Sequence, residues 1–519
     1  MTRLPGAFTI AIGGLFGLFS IVSIMLGEGN TLANVFLYLI IGTCGLAFIA
    51  PRTAFFVFLV TCGYVDLFKR LMVVSGRVSM DDLYYVLGLA PALLSCIIVS
   101  VLVRGVIGGI PMSKKHVWLF LAGCGVVLLN VFLSFLEPDH SVGKILQGTA
   151  NGGLYGMLIF VVPMLFDDKD DILALLKFLM WTYSPVALYG VAQQVWGFQD
   201  FEIAYLQTGL SIEIKQLFTD RVRAFSTLNS PTALSMVCGA LCVIPLVMWR
   251  VKAPGGTRRL LGLPLAILFC VIYLAGLAAS TGRAGFLMSA ILATGVVAFR
   301  TRKGTVAFYA VALSGFATLL ISARYLLDSI EVATSILVQK LGGVFREDNI
   351  NINTFSDRLF GFINVLMNPE AYTWFGYGVT RGTDVRDPLY NHDLLSNILV
   401  RYGAIPLSVM LICVVWFLVW THRHILKISE PERRKAATMM LACAMAMFSV
   451  SITCGNVLSV FPANTLFWLA VAGTIVAARS HAKNPGPVRK ADAASEPSVN
   501  RVPDRREKFT RSAALPHPF

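Results

Sequence analysis

The chain has 519 residues, of which 56% are hydrophobic and only 14% charged, with a formal net charge of +14. So little charge excludes a soluble globular domain and points to a chain whose surface mostly meets lipid. The excess of basic residues is a membrane-topology signal rather than a nucleic-acid footprint, because Lys and Arg cluster between apolar runs.

In chain order, nearly every stretch of about twenty residues between charge clusters can cross a bilayer core of roughly 30 Å. Spans are expected near 6–26, 32–50, 53–68, 83–103, 117–136, 148–166, 173–196, 231–249, 260–280, 284–299, 305–322, 394–420, 436–457 and 461–478. The expected fold is an all-α polytopic membrane protein with about 14 transmembrane helices, in the range of roughly 12–14, forming one domain over residues 1–478. The first run follows Arg3 and ends in Gly-Glu-Gly-Asn with no small-residue cleavage pattern, so it reads as a retained helix. Ten cysteines, from Cys44 to Cys454, all fall within apolar spans and read as small packing residues.

Orientation follows from the basic residues. With both termini cytoplasmic, the inward connections hold Arg52; Arg104, Lys114 and Lys115; Arg250, Lys252, Arg258 and Arg259; Arg300, Arg302 and Lys303; and Arg423, Lys427, Arg433, Arg434 and Lys435. The outward connections 27–30 and 456–461 hold no Lys or Arg. Because Lys and Arg resist translocation, the asymmetry fixes the orientation. The stretch 479–519 is rich in Pro, Ala, Ser, Lys and Arg. It is expected to be a disordered basic cytoplasmic tail that meets anionic lipid or a partner.

Two outward connections are long, about 197–230 and 323–392. Loops of that length are uncommon without internal structure or a function. In the second, Tyr325–Leu341 and Ser356–Met367 alternate apolar and polar residues at helical spacing, the latter with Ser356 as N-cap. These amphipathic helices are expected at the membrane surface. A simple packed cap is the alternative.

Walker, His-Glu-x-x-His, Gly-x-Ser-x-Gly and Cys-x-x-Cys sequences are missing, so neither a metal nor a cofactor is expected. The first outward loop holds only Glu28, which argues against metal-dependent transfer by an acidic pair at that place. Of the histidines, His116, His422 and His424 fall in inward connections and His481 and His517 in the tail, leaving His140 and His392 outward. His140 reads as a solvated turn residue in Glu137-Pro-Asp-His. His392 stands between Asn391 and Asp393 where the long loop meets the next helix. A neutral imidazole there suits a general base near neutral pH, and a structural role is equally open. Arg221 and Arg223 end the first long loop, Arg283 occupies a tight turn, and Arg358, Arg381 and Arg386 lie in the second loop. Guanidinium forks suit bidentate phosphate binding, with headgroup snorkelling as the alternative. Several outward arginines with an outward histidine favour an anionic ligand at the bilayer edge, and a lipid diphosphate is the natural candidate.

The segment Tyr390-Asn-His-Asp-Leu-Leu-Ser-Asn-Ile-Leu-Val-Arg-Tyr-Gly-Ala-Ile-Pro406 resembles the signature that closes the large periplasmic loop of the O-antigen ligase and polymerase (Wzy-type) superfamily. Three further pieces agree in order: Arg223-Ala-Phe-Ser-Thr-Leu-Asn-Ser-Pro231, Ser280-Thr-Gly-Arg-Ala-Gly-Phe286, and Arg358 followed by Gly376-Tyr-Gly378. The resemblance implies a metal-independent inverting membrane glycosyltransferase of a bacterial inner membrane, its active site facing the periplasm. Such an enzyme moves a glycan from polyprenyl (undecaprenyl) diphosphate to a hydroxyl. It implies His392 as base, Arg223 and Arg283 on the diphosphate, and Arg221 and Arg358 in support, with Asn391 and Asp393 beside the base. The order Asn391-His392-Asp393 departs from the family's usual histidine-asparagine order. Asp393 either raises the basicity of His392 or caps the next helix.

The expected function is polymerisation of lipid-linked repeat units in exopolysaccharide or O-antigen biosynthesis, with chain-length regulators or export proteins as possible partners. O-antigen ligation to lipid A core is the alternative. A lipid-linked oligosaccharide flippase or transporter is the rival of another class, disfavoured because the spans are almost uncharged, Lys177 being the main exception.

Overall fold

The computed structural model describes residues 31–75, 86–135, 148–208, 223–252, 259–312, 365–378 and 393–479, with single positions at 145, 314 and 362. The chain divides into a unit Met1–Arg479 and a unit Ser480–Phe519. The second unit, where the tail is expected, lies outside the described residues, as does the first expected span, 6–26.

Among the described residues the regular structure is helical. The α-helices are α1 (Thr31–Ile49), α2 (Pro51–Val74), α3 (Leu89–Val106), α4 (Lys114–Phe135), α5 (Leu158–Leu165), α6 (Lys169–Trp196), α7 (Asp200–Gln207) and α8 (Pro231–Leu241). They continue with α9 (Ile244–Trp249), α10 (Leu263–Ser280), α11 (Arg283–Ala298), α12 (Leu394–Tyr402), α13 (Ala404–Ile425), α14 (Pro431–Cys454) and α15 (Ala463–Ala478). A π turn (Thr149–Gly153) and a 3-10 turn (Leu154–Met157) lead into α5.

Among the described residues, seven stretches are long and apolar enough to cross a membrane: α3, α4, α6, Pro231–Trp249, α10, α13 and Pro431–Ile452. Four shorter apolar helices accompany them, at Tyr38–Ile49, Leu154–Leu165, Ala284–Ala298 and Ala463–Ala478. This is a helical membrane protein.

The chain starts its helices where the chemistry favours it. Proline opens α2, α8 and α14, at a position whose missing N–H would have no intrahelical partner anyway. Asp168 caps α6, its carboxylate accepting the Lys169 N–H at 2.7 Å, and Ser230 caps α8 by accepting the Ala233 N–H at 3.2 Å.

Several expected spans differ in detail from the helices. The span expected at 394–420 is two helices, because Gly403 adopts φ +93° between α12 and α13. The span at 231–249 is interrupted between α8 and α9, just before Pro245. The span at 83–103, whose first residues 83–85 lie outside the described ones, runs on to Val106, and the one at 53–68 runs on to Val74. His116, His422 and His424 belong to the helices α4 and α13 rather than to the connections.

Helices pack through small residues and internal hydrogen bonds, since lipid supplies no hydrophobic force to bring them together. At the crossing of α8 and α11, a Cβ on Gly239 would lie 2.7 Å from the Gly285 carbonyl oxygen, so the two backbones touch. Tyrosine hydroxyls tie α2, α6 and α10 together: half-buried Tyr64 donates to Thr182 O at 2.8 Å and buried Tyr273 to Met180 O at 2.6 Å. The nine cysteines whose side chains are described are free, and most are buried.

The connections expected inward touch one another. Arg52 pairs with Asp171, and Arg104 donates to Phe48 O at 2.6 Å. Lys169 pairs with Glu430, and Lys435 donates to Arg250 O at 2.7 Å. Arg433 donates to Ala477 O at 2.9 Å, and Arg479 lies 2.7 Å from His116. The end of α2, α7 and residues 225–228 form another such set. A helical chain that alternates direction must sort its connections into two groups in this way.

Candidate functional site

Of the expected site residues, Arg221, Arg358, Asn391 and His392 lie outside the described residues, as do Arg381 and Arg386 and the expected helices Tyr325–Leu341 and most of Ser356–Met367. Arg223 is described and exposed; Arg283 is the first residue of α11; Asp393 is described and buried.

Two of the sequence pieces are brought together by backbone contact. The Ala224 N–H donates to Ala279 O at 3.3 Å, which lays the start of the Arg223–Pro231 segment beside the end of α10. The Ser280–Phe286 turn follows directly. Ser235, in α8, donates through Oγ to Gly282 O at 3.0 Å and accepts from Gly285 N at 3.0 Å. One serine hydroxyl thus bridges both sides of the turn that carries Arg283, and the backbones at Arg223 and Arg283 are held in one neighbourhood.

The other two pieces also pair. Tyr377 N–H donates to Val400 O at 3.0 Å and Gly378 N–H to Arg401 O at 3.2 Å. Returning, Ala404 N–H donates to Thr373 O at 3.0 Å and Ile405 N–H to Trp374 O at 3.2 Å. The loop segment 373–378 therefore wraps the break between α12 and α13. Only glycines fit there: Gly376 has φ +74°, and a Cβ on it would lie 2.6 Å from Tyr402 N. Tyr402 in turn donates to Asn130 of α4 at 2.8 Å.

The two pairs meet at the end of α14. There Gly455 lies against α8, a Cβ on it falling 3.3 Å from Met236 Cε and 3.8 Å from Thr232 Cγ2 in the first turn, while Ile452 and Leu458 pack on the apolar cluster of Leu394, Leu395, Ile398 and Val400 in α12. The first turn of α8 and the first turns of α12 therefore share a neighbour, and those turns follow Arg223 and His392 respectively.

Asp393 is the N-cap of α12, its Oδ1 accepting the Ser396 N–H at 2.7 Å. Of the two roles open to it in the sequence, the cap is the one its contacts display. Burial raises its carboxyl above the usual value of 3.8, against the smaller lowering effect of the hydrogen bonds at Ser396. For an acid raised on folding, the sign is destabilising: no penalty exists below the unfolded-state value, and it grows as pH rises from that value to the folded one and is constant above it. Asparagine keeps the capping oxygen and carries no charge. Asp393→Asn is therefore expected to unfold within a degree or two of the parent at neutral pH, and Asp393→Ala to lose about 1 kcal/mol, read by thermal denaturation in detergent. Equal losses in both variants would show that the cap is not what the carboxylate supplies.

Sequence reasoning passed over a second group. Arg70 and Glu202 are fully buried, 1% and 0% exposed, and pair at 3.3 Å. Gln193 donates to the same Glu202 oxygen at 2.6 Å and Tyr189 at 3.0 Å. The available signal was the charged run Asp66, Lys69 and Arg70 at the end of an apolar helix, in which Asp66 pairs with Lys69 at 2.9 Å. Among the described residues, no cluster of three or more His, Cys, Asp or Glu side chains could hold a metal ion.

No protein-family model, curated protein or solved structure matches this chain.

Proposed function

We propose that this protein is a metal-independent inverting glycosyltransferase of a bacterial inner membrane, polymerising lipid-linked repeat units of an exopolysaccharide or O-antigen. In this reading the donor is a glycan on polyprenyl diphosphate, and the acceptor is a hydroxyl of a second lipid-linked unit. His392 takes the acceptor proton as the hydroxyl oxygen attacks the anomeric carbon. The bond from that carbon to the diphosphate oxygen breaks, and Arg223 and Arg283 stabilise the departing diphosphate, with Arg221 and Arg358 in support. The reaction face is the periplasmic one.

The observation that carries the proposal is the gathering of four sequence-distant pieces into two backbone-bonded pairs around the end of α14. The pieces are those that resemble the polymerase and ligase superfamily. Their meeting supports a shared site on one face, and a basic site at the end of apolar helices suits a ligand whose diphosphate sits at the bilayer surface.

The test is reconstitution of the purified protein in nanodiscs with a lipid-linked repeat unit as the sole glycan substrate. A ladder of products spaced by one repeat is expected. Transfer only when lipid A core is supplied would turn the assignment to ligase, and movement of the lipid-linked unit across the bilayer without bond formation would refute transfer altogether.

A further inference from the structure

Resting on the diphosphate reading above, we infer that Arg70, acting with Glu202 and Gln193, is a positioning group that sets Arg223 for the carrier diphosphate. The feature that requires explanation is a guanidinium with 1% exposure near the end of α2. At a helix end a basic side chain ordinarily reaches for water or headgroups. Burying it entails a desolvation penalty of several kcal/mol, offset only where its donors are all used.

Two of its donor bonds go to the Arg223 loop. Arg70 Nη2 donates to Ser226 O at 2.6 Å and to Leu228 O at 3.1 Å, while Nη1 pairs with Glu202 and Nε donates to Asp66 O at 3.2 Å. Its guanidinium carbon lies 4.6 Å from the centre of the Phe225 ring. From the opposite side, Gln193 Oε1 accepts the N–H groups of Phe225 at 3.1 Å and Ser226 at 2.6 Å. Thr227 donates to Gly63 O at 2.7 Å, and Ser226 donates to Val186 O. Backbone groups of residues 225, 226 and 228 are thus captured by side chains of α2 and α6, and Glu202 of α7 joins those two side chains.

Ser226 shows what this capture achieves. It holds φ +58°, a left-handed conformation that is unfavourable for serine and persists only where the surroundings over-determine it. Arg223 lies three residues upstream, and Ala224 between them is fixed to Ala279. The position of Arg223 relative to the Arg283 turn is therefore dictated by a lock centred on Arg70. An arginine meant only to balance lipid headgroups has no use for such fixing. One that must meet a diphosphate does, since misplacement by about 1 Å at a binding group lowers rates by about 100-fold.

Arg70→Gln alone would leave Glu202 buried without its cation and endanger folding. The decisive variants are Arg70→Gln with Glu202→Gln, which removes both charges together, and Gln193→Leu. Each is purified, placed in nanodiscs, and titrated with undecaprenyl diphosphate and undecaprenyl monophosphate, reading Kd and the number of sites separately. The expected result is a Kd for the diphosphate raised about tenfold at an unchanged number of sites, with less than about a threefold change for the monophosphate. A merely structural tie predicts fewer sites at unchanged Kd, and that result overturns the inference. Absence of diphosphate binding by the unaltered protein is a different outcome: it removes the diphosphate reading itself, and the inference with it.

Discussion

His392→Ala is expected to lower glycan transfer by about 10²–10⁴-fold while leaving the unfolding temperature unchanged. The size follows from the role proposed for it. Without a positioned base, the acceptor hydroxyl must lose its proton to water, and general-base assistance contributes on the order of that factor. The expectation of unchanged stability follows from Asp393 and not from His392. The cap of α12 is the Asp393 carboxylate on Ser396 N–H, and the apolar face of Leu394, Leu395 and Ile398 is buried below it, so the helix keeps its start when the imidazole is removed. A radiolabel transfer assay on the purified variant, with its denaturation curve alongside, reads both quantities. Near parental transfer would remove His392 as base, and a collapse of stability would show that it is a packing residue.

Gly376→Ala is expected to be the most damaging of the conservative changes. The new methyl would collide with the Arg401 carbonyl and lie 2.6 Å from Tyr402 N, both backbone groups that cannot rotate away. Overpacking of this kind costs about 1–3 kcal/mol, and a left-handed conformation adds about 1–2 kcal/mol for an L-residue. Gly403→Ala meets the same obstacle from the other partner, with a Cβ 2.5 Å from Gly376 N at φ +93°. Either change should release residues 373–378 from the break between α12 and α13, seen as a new protease cut in that segment and a loss of transfer. Gly42→Ala, where a methyl meets nothing within 4 Å, is the control and should behave as the parent. A Gly376→Ala protein as protease-resistant as that control would mean the pairing is not what holds the loop.

Much of the architecture was legible in the sequence because the physics that sets it is local. Apolar length marks a helix that can cross a membrane, and Asp168, Ser230, Pro51 and Pro431 mark the starts. Even the break at Gly403 left a trace, a glycine followed by Pro406 within an otherwise apolar run. The lock around Arg70 left only the charged run Asp66, Lys69 and Arg70, since its partners Glu202 and Ser226 stand 132 and 156 residues away and only folding brings them close. The same holds for the bridge of Ser235 to Gly282, 47 residues on. Chemistry-bearing residue types could be picked out along the chain, whereas the groups that position them act across it.

The bonds between residues 373–378 and 400–405 run from backbone amide to backbone carbonyl. They are made by main-chain groups and need two glycines, with Thr373 Oγ1 on Gly376 O and the Tyr377 hydroxyl on Glu370 O as bonds within residues 370–377. That makes the joint a socket: the stretch of loop leading to it can be exchanged for one of different composition while the attachment survives. A chain built this way can acquire a different loop by exchange at that joint, with its membrane helices left as they are.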